Sequence, residues 1–458
     1  MRHNFIVLIS IMAWPILALS QKMSNPETYN LWKTIENTEI SSYGNWVHYS
    51  LSPGKGDDTL YLYNTITNES ISFPRASSAS FDYEENFLAF IVGPALDTIE
   101  TLKRQKVEKA DFPQDTLVVY HLKEQRIERV PNVESFKLSK EYGGGLAVKI
   151  KAGQEADSTA VKKQNEKNGS QLFVYDFNSD SIRLIPYVKD YGWSNKNGIL
   201  YVESTGQDSS NVLEIKLIDL SKNQELTLLH EEARLHKYGI SESGKQLAVV
   251  LDKDSLDTDI ASTELYYWNA GKDILEPIAD SSSQFILDDH RISPYMRPWF
   301  SDEENRLYFG IHHMLPQPDS TLLDTEKVEL EIWNFKDEVL YTQQKKNLKR
   351  EKERSFTTMY DIDEKRFHLL HDDARTGIDL DPSFQSSYFL SYNSRPYEKY
   401  TSWIGYAFKD VYLYNLKDDN PRRIAERIQG NPRMSPDERY VYWFSRPDTS
   451  WYAYDISE

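Results

Sequence analysis

The chain repeats one short strand-like segment, in which apolar residues alternate with others, an aromatic residue lies near the end, and Asp or Asn frequently follows. A period of two residues is that of a β-strand with one buried face. Eight copies occur, mostly about 40 to 65 residues apart. They are TLYLYN at 59–64, LVVYHL at 117–122, LFVYDF at 172–177, IKLIDL at 215–220, LYYWN at 265–269, LEIWNF at 330–335, VYLYNL at 411–416 and WYAYDI at 451–456. Repetition of this length predicts a β-propeller.

A second segment recurs between these copies and reads as a strand end, a polar turn and an apolar strand. Examples are FDYEENFLAF at 81–90, ISESGKQLAV at 240–249, FSDEENRLYF at 300–309 and MSPDERYVYW at 434–443. Such a turn joins adjacent antiparallel strands, and one small sheet cannot bury both its faces alone. The sequence therefore predicts an all-β propeller of about eight repeat units, each a four-stranded antiparallel blade. One or two β-sandwiches are the alternative, which in-phase repetition disfavours.

Composition agrees with β structure and excludes several classes of site. Aromatic residues make up 13% of the chain, with 30 Tyr and 10 Trp, and such residues favour strands. The formal net charge of −18 repels phosphate backbones, so no nucleic-acid partner is expected. The chain has no Cys, which excludes disulfides, thiolate metal sites and a cysteine nucleophile.

The N-terminal residues 1–20 have the pattern of a secretory signal peptide. Arg2 and His3 precede a mostly apolar run, and small residues follow at 18–20 at the spacing of a cleavage site. A membrane anchor is the alternative, but about 15 apolar residues are too few to span a bilayer comfortably. We expect a periplasmic or secreted protein, a single propeller domain over 21–458, and no membrane association after cleavage.

No complete active site is recognised in the sequence. The Gly-x-Ser-x-Gly pattern of an α/β-hydrolase elbow is absent, and Ser243 with Gly244 reads as a hairpin turn. We therefore predict no catalytic, cofactor-binding or metal-binding residues and no cofactor. Each of the weaker candidates is more simply explained as a turn, surface or blade-edge residue than as a site residue. They are the histidines at 230 and 236, His312 with His313, His368 and His371 with Asp372 and Asp373, and the acidic loop of Asp252, Asp254, Asp257 and Asp259.

The spacing of these candidates explains why each is weak. His230 and His236 are six residues apart, so on a helix they would point to different faces and could not share a metal. The acidic loop lacks the Gly and the final Glu of a calcium-binding loop. The mixed-charge run at 345–354 is expected to cover a strand or a short helix with solvated side chains, rather than to bind nucleic acid.

Three stretches resemble secreted bacterial members of the prolyl oligopeptidase family. One is the WNFKD segment at 333–337 with Gln343, Gln344 and the Lys/Arg run that follows. The second is PWFSDEENRLYF at 298–309, and the third covers 395–403 and 409–414. The resemblance extends over most of 30–458 and is strongest over 298–456.

This resemblance implies one part of a two-part serine peptidase. In the family an N-terminal propeller caps a C-terminal α/β-hydrolase domain with a Ser-Asp-His triad and limits access to small peptides. The chain ends at Glu458 without that domain, so no triad residue can be carried over. The prediction is a propeller portion that gates and selects peptides, is inactive alone, and is incomplete at its C-terminal end, with an exposed sheet edge. The alternative is a stand-alone secreted propeller that binds a protein, peptide or glycan.

Overall fold

The computed structural model describes residues 32–151, 169–206, 211–253, 262–315, 323, 325–326, 330–417 and 421–457. The predicted signal peptide at 1–20 lies outside the described residues. Contacts between Cα atoms divide the chain into two compact units. Of the described residues, 32–138, 143–151 and 177–181 belong to the first unit, and the others belong to the second. None of the helices in the described ranges is long and apolar enough to cross a bilayer.

The first unit contains two four-stranded antiparallel sheets, in which neighbouring strands follow one another along the chain. The first sheet is β1 (Lys33–Ile40), β2 (Trp46–Pro53), β3 (Thr59–Asn64) and β4 (Ser70–Pro74). The second is β5 (Ala76–Phe81), β6 (Phe87–Val92), β7 (Thr116–His121) and β8 (Arg126–Pro131), with helix α1 (Leu96–Arg104) between β6 and β7. Strands β9 (Val133–Leu138) and β10 (Gly145–Ile150) form a further antiparallel pair.

The second unit continues the same antiparallel order. Its first strands are β11 (Ser170–Asp176), β12 (Ser181–Trp193), β13 (Ile199–Thr205), β14 (Val212–Asp219) and β15 (Gln224–Glu232). A four-stranded sheet follows, with β16 (Arg234–Ile240), β17 (Gln246–Asp252), β18 (Thr263–Asn269) and β19 (Glu276–Ala279).

Three more sheets complete the second unit. One is five-stranded, with β20 (His290–Ile292), β21 (Trp299–Phe300), β22 (Arg306–His313), β23 (Phe356–Asp361) and β24 (Arg366–Leu369). The next is β25 (Gly377–Asp379), β26 (Tyr388–Asn393), β27 (Lys409–Asn415) and β28 (Arg422–Ile428). The last is β29 (Arg433–Met434), β30 (Tyr440–Ser445) and β31 (Ser450–Asp455). Helices α2 (Tyr341–Lys352) and α3 (Arg395–Ile404) lie between strands.

Successive four-stranded antiparallel sheets are the blades of a β-propeller, so the predicted fold class is confirmed. Seven of the eight predicted strand copies lie in β3, β7, β11, β14, β18, β27 and β31. The number of about eight repeat units stays a prediction, as does a single domain over 21–458.

The second recurring segment forms the same hairpin turn in each of its predicted places. Its first turn residue donates its amide to the carbonyl oxygen five residues later, at Ser41, Asp82, Ser194, Ser241, Ser301 and Ser435. In the five turns that begin with serine, the hydroxyl oxygen also accepts the amide of that later residue, at 2.9 to 3.3 Å. A short hydroxyl side chain thus closes the loop by bonding to nearby backbone.

Neighbouring sheets pack face to face, and β17 and β18 illustrate this. Val249 and Tyr266 belong to an apolar cluster that includes Ile215 of β14. Val250, on the opposite face of the same sheet, belongs to a cluster with Phe309 of β22. Because side chains alternate between the faces of a strand, a strand covered on both faces has an almost uninterrupted apolar run.

A carboxylate from one turn also binds the turn of the preceding sheet. Glu85 accepts hydrogen bonds from Ser41 Oγ at 2.5 Å, the Tyr43 amide at 2.9 Å and Asn45 Nδ2 at 2.7 Å. Glu304 accepts in the same way from the amide and the hydroxyl of Ser243, both at 2.6 Å. Burial alone would raise the pKa of Glu85, but these hydrogen bonds lower it below the ordinary value.

The strand predicted at 330–335 is wrong. Residues 330–334 have no regular secondary structure, and Leu330, Ile332, Trp333 and Phe335 are 67% to 80% exposed. Strand β23 instead pairs with β22, with Phe309 opposite Thr358. Residues 330–335 alternate in polarity, but only β23 gains apolar neighbours in the sheet. The charged run at 345–354 falls largely in α2, so the short helix, one of its two predicted forms, is confirmed.

Truncating one phenylalanine in each of these two segments tests this assignment. Phe356 is 0% exposed and Phe335 is 80% exposed. We expect Phe356→Ala to lower the free energy of unfolding by about 3–5 kcal/mol, because it leaves a cavity in the core. The matched variant Phe335→Ala should stay within about 0.5 kcal/mol of the wild type. Equal losses in urea denaturation would contradict the placement of β23.

Replacing Glu85 tests the contact between the first two sheets. In Glu85→Gln the side-chain NH2 group replaces one accepting oxygen and faces a hydrogen-bond donor. We therefore expect the free energy of unfolding at pH 7 to fall by about 1–3 kcal/mol. The wild-type contribution is complete above the unfolded pKa of Glu85, near 4.5, and is lost as pH falls through its lowered folded value. The two urea-denaturation curves should therefore converge in acid. The exposed Glu124→Gln variant should match the wild type at every pH, and a Glu85→Gln deficit that persists in acid would exclude this carboxylate as the cause.

Candidate functional site

Residues 314–355 connect β22 to β23, and this connector carries apolar side chains that face solvent. The Trp333 ring lies 4.6 Å from the Tyr341 ring at the start of α2, measured between centroids. Lys399 of α3 donates a hydrogen bond to the Phe335 carbonyl oxygen at 2.6 Å. Trp403, also on α3, is 84% exposed. We call the exposed residues of these segments the aromatic surface, which comprises Leu330, Ile332, Trp333, Phe335, Tyr400 and Trp403.

The outer strand of the last sheet is also exposed, although its sequence resembles buried strands. In β18 the four residues from Leu265 to Trp268 are all buried. In β31 the first three matching positions, Trp451, Tyr452 and Ala453, face solvent, with Trp451 70% exposed, whereas Tyr454 is half-buried against an apolar cluster. Within the described residues, β31 pairs with β30 alone. The outer strands of other sheets, such as β19 and β28, also have one paired neighbour among the described residues, so the incomplete propeller stays a prediction.

A groove lies between the sheet of β25–β28 and the segment 431–438, which contains β29. Its volume is about 880 Å³, and charged groups of both signs line it. The Lys409 ammonium lies 4.2 Å from the centroid of the Tyr392 ring, and burial lowers the pKa of Lys409. Asp379 accepts a hydrogen bond from the Tyr392 hydroxyl at 3.1 Å. Tyrosines and charges of both signs suit a ligand with peptide-like polarity.

The structure separates most of the histidines considered in the sequence. His230 lies on β15 and His236 on β16, so neither is on a helix. His236 Nε2 lies 3.9 Å from a carboxylate oxygen of the buried Asp252, and burial lowers the pKa of His236. Asp254, Asp257 and Asp259 of the acidic loop lie outside the described residues.

Two other candidate histidines are hydrogen-bond acceptors in the core. His312 Nε2 accepts from Arg291 Nε at 3.0 Å, and His371 Nδ1 accepts from the Thr357 amide at 3.1 Å. Burial lowers the pKa of each to about 4, so both are neutral at pH 7. His368 is buried on β24. These three have structural roles.

Two sequence candidates do come together, with a third residue that the sequence reasoning missed. His313 Nε2 lies 2.5 Å from Asp373 Oδ2, and His290 joins them. One ligand atom from each of the three lies within 4.8 Å of the others. No spacing motif relates His290 to His313. Only their pairing across β20 and β22 brings them together.

Comparison with known proteins gives similarity at the level of structure only. No family model matches the chain, and no curated protein matches its sequence. An acylaminoacyl peptidase from Pyrococcus horikoshii is 12% identical, with 91% of this chain and 58% of that one covered and a TM-score of 0.33. The propeller domain of the Trilobed protease from Pyrococcus furiosus is 10% identical, with 86% and 99% covered and a TM-score of 0.33.

A eukaryotic initiation factor is 10% identical, with 93% of this chain and 86% of that one covered and a TM-score of 0.43. Two of these three proteins are named as a peptidase or a protease. The chain spans 58% of the length of the acylaminoacyl peptidase that it matches. At these identities and TM-scores the similarity assigns no activity, substrate or partner to the chain. The class that its own sheets define is an all-β protein of the propeller type.

Proposed function

We propose that the chain is the propeller portion of an exported serine peptidase related to the prolyl oligopeptidases. Its role is to admit short peptides and to exclude folded proteins. Hydrolysis is done by an α/β-hydrolase domain that follows Glu458 in the full-length protein. Export rests on the signal-like pattern at 1–20, and the protein is periplasmic or secreted.

The exposed face of β31 carries this proposal. A strand of this pattern is buried wherever both of its faces have neighbouring sheets, as in β18. Covering a large apolar side chain such as Trp451 is worth about 1.5–3 kcal/mol relative to leaving it in water. A further folded layer that covers β30 and β31 would therefore be favourable. A peptidase whose propeller and hydrolase domains continue after β31 would supply it.

The aromatic surface supports the same proposal from a second place. Two of the three stretches that resemble the peptidase family, 333–344 and 395–403, supply most of its residues. Exposed apolar groups of this size mark a contact surface rather than a solvated one. A covalently linked hydrolase domain suits it because a linked partner binds at high effective concentration.

The groove between the sheet of β25–β28 and the segment 431–438 suits the selection of peptides. It presents Lys409 and Arg433 as partners for carboxylates, and Asp379 as a partner for an ammonium group. A short peptide carries both kinds of group at its ends.

Capture of the protein from the cells that produce it tests the proposal. An antibody raised against 356–415 should recover a species larger than this chain by a domain or more, and a fluorophosphonate probe should label its serine. The captured species should cleave short peptides and leave folded proteins intact. Heat denaturation before probe addition should abolish the label. An unlabelled species near the mass of this chain, which is 53.5 kDa with residues 1–20 included, would contradict the proposal and favour a stand-alone binding propeller.

A further inference from the structure

We propose that His290, His313 and Asp373 bind a divalent transition-metal ion, with Zn²⁺ the best fit. Two imidazole nitrogens and one carboxylate oxygen are a ligand set that Zn²⁺ uses in open sites. Calcium and magnesium prefer ligand sets made of oxygen alone, which two imidazoles do not provide. This inference is independent of the proposed peptidase function.

Strand pairing holds the two imidazoles together. His290 at the start of β20 is directly opposite His313 at the end of β22. Cross-strand neighbours on one face have Cβ atoms about 4.5–5.5 Å apart, which places their side chains in contact. The ring centroids are 4.0 Å apart, and the ring of the buried Phe356 lies 5.5 Å from His290 and 5.6 Å from His313. The pair therefore has an apolar wall on one side.

The hydrogen bond of His290 prepares its other nitrogen for a metal. Its Nδ1 lies 2.9 Å from the Asp288 carbonyl oxygen, which can only accept, so Nδ1 carries the proton. Nε2 of the neutral ring then presents a lone pair. Metal-binding histidines commonly have this arrangement, with the second ring nitrogen donating to a backbone carbonyl.

The burial of that lone pair is the observation that a simple ion pair leaves unexplained. His290 is 6% exposed, and its Nε2 has no hydrogen-bond partner among the described residues. A contact between His313 and Asp373 alone would account for those two residues. It would leave a buried acceptor on His290 unsatisfied, which is destabilising. A shared cation satisfies all three groups.

The third ligand comes from the loop after β24. Asp372 in this loop accepts a hydrogen bond from Arg375 Nη2 at 3.0 Å, which fixes the loop beside Asp373. Arg395 Nη2 lies 3.6 Å from Asp373 Oδ1 and leaves Oδ2 to His313. Zinc bonds of about 2.0–2.2 Å to three tetrahedral ligands keep those ligands about 3.3 Å apart. His313 and Asp373 are both partly solvent-accessible, and they need to separate by only about 1 Å to admit the ion.

A metal ion at this site would link three separate elements of the sheet that contains β22. It would join β20, β22 and the loop after β24, and His313 is the last residue of β22 before the connector begins. The connector carries most of the aromatic surface. A bound ion would therefore fix the first end of the segment that presents these exposed side chains.

Zinc titration of the full chain, freed of any histidine tag and dialysed against chelator, tests the proposal. We expect one Zn²⁺ per chain by calorimetry, and a visible spectrum of tetrahedral Co²⁺ when Co²⁺ replaces it. His290→Gln, His313→Gln and Asp373→Asn should each weaken Zn²⁺ binding on the order of 100-fold. Asp373 is partly solvent-accessible, so its variant should keep the wild-type circular dichroism even if His290→Gln unfolds. The matched control His230→Gln, at an exposed histidine on β15, should bind zinc normally.

Two results would overturn the proposal. One is the lack of saturable binding at one ion per chain. The other is unchanged Zn²⁺ affinity in both His313→Gln and Asp373→Asn, which would identify the bound zinc as an ion held adventitiously elsewhere. Zinc should also raise the melting temperature of the wild type and of His230→Gln, but not that of Asp373→Asn, because a ligand stabilises only the state that binds it.

Discussion

The packing of a sheet between two neighbours, as seen for the sheet of β16–β19, is the constraint on which the rest of this structure depends. A four-stranded sheet with apolar residues on both faces is stable only when both faces are covered. Val249 and Val250, adjacent on β17, pack against different neighbouring sheets. Trp451 on β31 has the same strand pattern but is 70% exposed, and this is where we propose that a further layer packs.

Polar contacts fix how one sheet is aligned on the next, which apolar packing alone does not determine. Dispersion and burial do not fix how one sheet is rotated or shifted on the next. Glu85 and Glu304 do so, because each must reach the amide and hydroxyl donors of one particular turn. Each glutamate lies three residues after the first residue of its own turn. The same hairpin geometry therefore positions both carboxylates. Ser41 thus serves both the hairpin and the contact between sheets, because its hydroxyl accepts the Trp46 amide and donates to Glu85. In the later pair of sheets, Ser241 closes the hairpin and Ser243 makes the contact to Glu304.

Sequence reasoning succeeded where a local pattern determines a local structure. Strand period and turn chemistry located seven of the eight repeated strands, and the hairpins that begin at 81, 240, 300 and 434. It failed at 330–335, because alternation in polarity shows that a segment can be a strand but not whether a neighbouring strand is free to pair with it. Strand β23 is the one that pairs with β22. It missed His290 for a related reason, since strand register across 23 residues joins it to His313, and no short-range spacing reveals register.

The accessibility of position 451 in the working protein tests the central claim most directly. The chain has no cysteine, so Trp451→Cys introduces a single thiol whose reaction with a maleimide can be timed. In the isolated 458-residue chain this thiol should react rapidly, because the position faces solvent. In the protein made from its own gene it should be protected, while a control thiol at the exposed Lys222→Cys should react equally fast in both. Equal, rapid reaction of the 451 thiol in both forms would contradict the account.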